Sequence, residues 1–329
     1  MKPQLLPPNV LRHFYAGGAR IAALRELQLD SDHMPEEWLG AANAAFGHSD
    51  RGLSRLPDGT LVRDALAADP EAFLGAGHVA RYGANPALLV KLLDAGQRLP
   101  VHFHPGRPFA RDALGSPFGK TEAWCILEAD AGAAVHVAFR REVAMPELRE
   151  WMRTQDADAM LSSMHELEVA PGDVVFVPAG TPHAIGAGIL MVELQEPTDL
   201  SVLLEWDGFE FSEEEGHLDL GWDRALEALD RSGWSEERAH ELRSPRLPAD
   251  ADPYFRAERP RGGDALDPGF SILVGLAGSG TLVTDGGELP LARGDVVLLP
   301  HGAGAGELRG ELEVLRARPP DPDAPEGRW

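Results

Sequence analysis

Disulfide chemistry is missing from this chain: among 329 residues cysteine occurs once, at Cys125. That excludes a disulfide-stapled scaffold and makes a reducing, cytoplasmic setting the expected one. Long hydrophobic runs are missing too, and no apolar stretch approaches the roughly 20 residues that span a bilayer. The opening MKPQLLPPNV is broken by prolines too early to serve as a secretion signal. Basic residues are scarce, 30 Lys and Arg against 53 Asp and Glu, for a formal net charge of −23. A surplus of that sign repels phosphate backbones and anionic lipid, so neither nucleic acid nor a membrane is an expected partner. A phosphorylated small substrate would need a local basic pocket inside an acidic shell.

What is plentiful is Gly (36) and Pro (27), which suits many short strands joined by turns better than a helical bundle. The length allows one large domain or two modest ones. Residues 11–50 combine a strand or helix start at Arg20–Leu29 with a loop ending in PEEWLGAAN. Helical spacing from 60 leads into the apolar run Ala87–Leu93 and the turn Asp94-Ala95-Gly96. Strands are expected at Leu99–His104, Ala123–Leu127, Ala133–Phe139, Glu168–Ala170, Val174–Val177 and Ile189–Leu194. Between Pro146 and His165 the apolar residues Leu148, Trp151, Met152, Met160, Leu161 and Met164 fall at helical intervals. A second helix is expected near Leu218–Leu229, then a Pro-, Arg- and Asp-rich connector from Ser244 to Pro253, then short strands from Phe270 to Ala317.

An internal repeat organises these pieces. PGDVVFVPAGTPHAIGAGILMVELQEP is echoed by RGDVVLLPHGAGAGELRGELEVLRARP, pairing Gly172-Asp173 with Gly294-Asp295 and Pro178 with Pro300. Two similar β units are the natural reading. Where the first copy has His183 the second has Ala305, so the second unit is expected to be structural.

The first copy carries the chemistry. His102 and His104 alternate along a strand and point to one face. Glu122 follows in GKTEAW, and His183 lies beyond the Gly172 turn. Three imidazoles and a carboxylate suit one divalent ion, Zn²⁺, Mn²⁺, Fe²⁺, Co²⁺ or Ni²⁺, without choosing among them. His48, His78, His165, His217 and His240 lack such spacing and read as solvated or capping residues.

ALLVKLLDAGQRLPVHFHP, GKTEAW and VAPGDVVFVPAGTPHAIGAGILMVELQEPTDLS resemble the type I mannose-6-phosphate isomerases of the cupin superfamily. PEEWLG, HLDLGWDRALEALD and GDVVLLPHGAGAGEL fit the same family. The resemblance implies a mainly β protein of two cupin (double-stranded β-helix, jelly-roll) barrels with a small helical insertion. Residues 1–240 would form a metal-binding cupin domain with helical insertions at about 140–167 and 215–240. Residues 241–329 would form a second, metal-free cupin-like domain whose barrel borrows N-terminal strands.

The resemblance further implies a zinc-dependent aldose–ketose isomerase acting on a small sugar or sugar phosphate, as a monomer or homodimer. His104, Glu122 and His183 fall on metal-ligand positions, and His102 stands where the family has a glutamine. Lys120, Glu193 and Asp199 fall on active-site positions and are the catalytic candidates. Trp38 and Trp124 are candidate walls for a sugar face. One departure is plain: the family's arginine four residues after Asp199 is Leu203 here. Either Arg107 or Arg111 supplies the missing cation from another loop, or the substrate lacks a phosphate. A non-catalytic metal- and sugar-binding cupin is the remaining alternative.

Overall fold

The computed structural model describes residues 1–327 and 329, and within them three antiparallel sheets stack face to face. The central sheet has seven strands in the order Arg243–Ser244, Val174–Val177, Glu122–Ala129, Ile189–Gln195, Leu89–Ala95, Glu36–Leu39, Val10–Leu11. A five-stranded sheet covers one side: Val202–Leu203, His102–Phe103, His183–Ile185, Ala134–Phe139, Met164–Glu168. The third sheet is built on Ser271–Thr284 and Gly306–Arg318, flanked by Val296–Leu299 and Arg256–Glu258.

Burial on two faces explains why the central strands read as unbroken apolar runs. Leu89–Ala95 and Ile189–Gln195 are buried at every position. Val90, Leu92, Val192, Leu194 and Cys125 pack toward Ile272, Val274, Val296 and Leu298 of the third sheet. Leu93, Trp124, Ile126, Val175 and Met191 pack toward Val135, Val137 and Ile185 of the five-stranded sheet. A strand sandwiched in this way has no solvent face on which to alternate. Polar residues inside such a strand therefore stand out.

The repeat is visible as two matching turns. Gly172 and Gly294 both take positive φ, 101° and 89°. In each, the following aspartate caps the turn: Asp173 accepts from Ala170 N at 2.9 Å and Asp295 from Ala292 N at 2.8 Å. Each leads into a four-residue buried strand. Gln4–Leu5 pairs with Leu298 and Val297 at the edge of the third sheet.

Several sequence expectations change. PEEWLG holds a fully buried strand, Glu36–Leu39, where a loop was expected, because Leu89–Ala95 supplies its partner from far along the chain. The C-terminal strands are not all short: Ser271–Thr284 and Gly306–Arg318 run 14 and 13 residues, with their register shifted between Gly275 and Ala277. The helix expected over 218–229 is reduced to Trp222–Ala225 and a 3₁₀ turn at Leu226–Ala228, since Leu218, Asp219 and Gly221 all have positive φ. Met145–Thr154 and Ala157–Ser162 are helical as expected, but Met164 opens a strand. Leu148, Met152 and Met160 cover the outer face of the five-stranded sheet. No helix of the described residues is long and apolar enough to cross a membrane.

Candidate metal centre

His102 lies directly opposite His183 on one neighbouring strand and opposite Leu203 on the other. The ring centroids of His102 and His183 are 4.0 Å apart, and that of His104 lies 5.0 and 4.8 Å from them. One nitrogen of each ring falls within 4.8 Å of the others, and all three residues are buried. Each Nδ1 sits on a backbone carbonyl: Pro100 at 2.8 Å for His102, Leu200 at 2.9 Å for His104 and Thr181 at 2.9 Å for His183. A carbonyl only accepts, so each Nδ1 carries the proton and each Nε2 presents a lone pair. Burial, with His183 and His104 alongside, holds the His102 imidazole well below its ordinary pKa. Burial and the Lys120 ammonium bring His104 down to about 3. Both rings are therefore neutral near pH 7, as ligands must be.

Glu122 reaches the histidines from the central sheet. Its Oε2 is 3.1 Å from His104 Nε2 and its Oε1 3.3 Å from His183 Nε2. Trp124 Nε1 donates to Oε1 at 3.1 Å. Burial works to raise this carboxyl, but Lys120 and His104 outweigh it and hold the pKa well below the usual range. His183 Nε2 is buried and makes no hydrogen bond of ordinary geometry, whereas Glu122 Oε2 has the Lys120 ammonium at 3.1 Å. An orphaned buried acceptor such as this nitrogen is costly unless a cation meets it. Three imidazoles and an ionised carboxylate fit a divalent ion, with His102, His104 and His183 the closest-grouped donors.

A cavity of about 310 Å³ opens beside this cluster and is lined by His102, Lys120, Glu193 and Asp199. Lys120 Nζ lies 3.0 Å from His104 Nε2 and 3.1 Å from Glu122 Oε2. Trp38, Lys91, Glu193 and Trp124 are successive cross-strand neighbours in the central sheet and so share the face toward the histidines. Burial and the nearby Glu122 carboxylate push Glu193 up to about 7, against the pull of Lys91.

Lys91 is a lining residue that the motifs do not mark. Its Nζ is 3.2 Å from Glu36, 3.5 Å from Glu193 and 3.6 Å from Asp199. It interrupts an otherwise apolar buried run, Leu88–Leu93, and that interruption is the signal that could have found it.

Three other candidates lie elsewhere. Trp38 does not line the cavity; it is fully buried, with Nε1 donating to Glu36 at 2.8 Å and its ring beneath Lys91. Arg107 and Arg111 line a different cleft, with Arg81 and Tyr82. Arg107 is drawn there by the buried Glu196 carboxylate at 2.5 Å and by the Tyr254 ring. His78 and His165 are buried on the carbonyls of Asn85 and Trp234 rather than solvated, and His48 lines the cavity.

No protein-family model matches the chain. The mannose-6-phosphate isomerase ManA of Bacillus subtilis (strain 168) is 31% identical over 244 residues, covering 69% of this chain and 73% of that protein. The chain belongs to the mannose-6-phosphate isomerase family. Solved structures share its fold at low identity. The mannose 6-phosphate isomerase of Bacillus subtilis has a TM-score of 0.74 at 20% identity, covering 97% of this chain and 100% of that one. A mannose 6-phosphate isomerase bound with zinc and yttrium has a TM-score of 0.72 at 16% identity, covering 98% and 100%. Leu203 is a wall residue of the cavity, buried and next to His102 in the sheet.

Proposed function

We propose that this chain interconverts mannose 6-phosphate and fructose 6-phosphate through a cis-enediol, with one divalent ion held by His102, His104, Glu122 and His183. The observation that carries the reading is the convergence of three imidazoles, each with Nδ1 committed to a carbonyl, on a buried carboxylate beside a sugar-sized cavity. Zinc is the favoured ion: the nitrogen-rich donor set suits it, and zinc is present in one structural neighbour. When bound, such an ion polarises the oxygens on which negative charge develops as the enediol forms.

The rest is work for the chain's own side chains. In the aldose-to-ketose direction the reaction moves one proton from C2 to C1 and another from O2 to O1. Glu193, with a pKa near 7, takes and returns a proton at neutral pH with little bias either way. Lys91 and Lys120 hold positive charge along the wall where the oxygens would sit, and Lys120 also fixes Glu122. Asp199 orients Lys91 and a sugar hydroxyl. Trp124, edge-on to His183 at 5.5 Å, keeps the floor of the site dry. We read the architecture as two cupin barrels, the first to about residue 240 and the second from 241, with Gln4–Leu5 lent to the second and Arg243–Ser244 returned to the first.

A second reading, isomerisation of an unphosphorylated sugar, is favoured by Leu203 in the cavity wall and by the carboxylates of Glu36, Glu193 and Asp199 around it. Zinc-loaded protein should convert mannose 6-phosphate to the ketose in a coupled fructose 6-phosphate assay, and Glu193→Gln should slow it by about 10²–10⁴-fold. Ketose from free mannose but none from its phosphate would establish the second reading, and no ketose from any aldose would overturn both.

A further inference from the structure

With leucine at position 203, the cavity needs another cation if its substrate is anionic. Three lysine or arginine side chains line it: Lys91, Lys120 and Arg51. Two of them are already committed. Lys91 is ringed by three carboxylates, and Lys120 sits on Glu122 and His104. Among the described residues Arg51 makes no ion pair, in a chain where acids outnumber bases by 53 to 30. Some half-buried arginines find carboxylates, Arg25 holding Glu37 and Arg98 holding Glu205, but neither of these lines the cavity. Arg51 instead spends one nitrogen on the Arg12 carbonyl, which leaves most of its five N–H groups unused.

The segment carrying Arg51 is well anchored. Ala45 N donates to Arg51 O at 2.8 Å, and His48 N closes a turn on Ala45 O at 3.0 Å. Gly52 has a positive φ of 93° and lies so close to the Trp38 indole that an added Cβ would meet ring carbon Cε3 at 2.4 Å. Trp38 thus acts from below, as the surface on which this turn rests. The carboxylates that line the cavity, Glu36, Glu193, Asp199, Glu215 and Asp219, repel a dianion, and Arg51 is the lining lysine or arginine that none of them pairs with.

We infer that Arg51 receives the anionic group of the substrate, a phosphoryl group on the sugar carbon remote from the reacting pair, and so selects sugar phosphates over free sugars. This rests on the isomerase reading given above. Planar guanidinium donors suit phosphate oxygens, and charge-assisted hydrogen bonds of this type are worth about 10- to 100-fold in affinity.

The test compares wild type, Arg51→Met and Arg51→Lys, all zinc-loaded, with mannose 6-phosphate and with mannose. Arg51→Met should raise KM for mannose 6-phosphate by about 10- to 100-fold with kcat changed by less than about threefold, and Arg51→Lys should recover part of the loss. The ratio of kcat/KM for the phosphate over the free sugar should fall to match. An unchanged KM in Arg51→Met overturns the assignment while leaving the isomerase reading standing. If wild type turns over neither sugar, titration calorimetry with mannose 6-phosphate decides separately: binding weakened at least about tenfold in Arg51→Met upholds the role of Arg51. Equal binding, or none, overturns it.

Discussion

Replacing Lys91 by methionine removes the charge at the centre of the buried acidic group and keeps the side chain's length. Lys91 Nζ lies 3.2 Å from Glu36, and both side chains are almost wholly buried. At an effective dielectric of about 20, a pair at that distance attracts by about 5 kcal/mol. Glu36 keeps two strong donors after the change, Tyr15 Oη at 2.7 Å and Trp38 Nε1 at 2.8 Å, so part of that is offset. Glu193 and Asp199 lose a partner as well. A net loss of about 3 kcal/mol in unfolding free energy is expected, the lower end of what breaking a buried pair costs. Urea unfolding of the chelator-treated protein at pH 7 measures it without a metal contribution. Because Lys91, against burial and with help from Trp38 and Tyr15, holds Glu36 well below the usual carboxylate range, Glu36→Gln in the Lys91→Met background should restore at least about 1 kcal/mol. A loss under about 1 kcal/mol in Lys91→Met, or no coupling with Glu36→Gln, would refute the reasoning.

Chelation should lower the thermal midpoint of the protein, and added zinc should raise it progressively by mass action; a midpoint indifferent to zinc would remove the metal from the fold's energetics. The Cys125 thiol, pushed up to about 12 by burial, should resist thiol reagents in the native state and react only on unfolding; rapid native-state labelling would contradict its placement between the sheets. Asp267, against burial, is held down to about 2 by hydrogen bonds to Arg318 and Arg316. A depressed carboxyl stabilises above its unfolded pKa and loses that contribution as pH falls through the folded one. The stability advantage of wild type over Asp267→Asn should therefore be full at pH 6 and shrink between about pH 4 and 2, and a pH-independent difference would exclude the pairing.

Much of the candidate centre was legible because local rules govern it. Two histidines separated by one residue on a strand share a face wherever that strand goes, and a Gly-Asp turn announces itself twice in the chain. Lys91 was legible in principle, as one charge inside a buried apolar run, but its three carboxylate partners come from Glu36, Glu193 and Asp199 on separate segments. The Glu36–Leu39 strand was hidden because its partner, Leu89–Ala95, lies some fifty residues on, and four residues carry little periodicity of their own. Arg107 and Arg111 are the sequence's candidates for a cation supplied from another loop in place of Leu203. A helix beginning at Arg107 turns both into another cleft, where the buried Glu196 carboxylate takes the first of them. Arg51 carries no motif at all; its position follows from a turn resting on Trp38, which only the packing reveals.

The most direct test of the account is the metal content of purified protein, by mass spectrometry, for wild type against His183→Ala and His102→Gln. His183→Ala removes the nitrogen that is buried without a partner and lies 3.3 Å from Glu122. Wild type should hold about one equivalent of divalent metal per chain, His102→Gln should retain it with altered preference, and His183→Ala should hold almost none. A full equivalent retained in folded His183→Ala would contradict the centre described here.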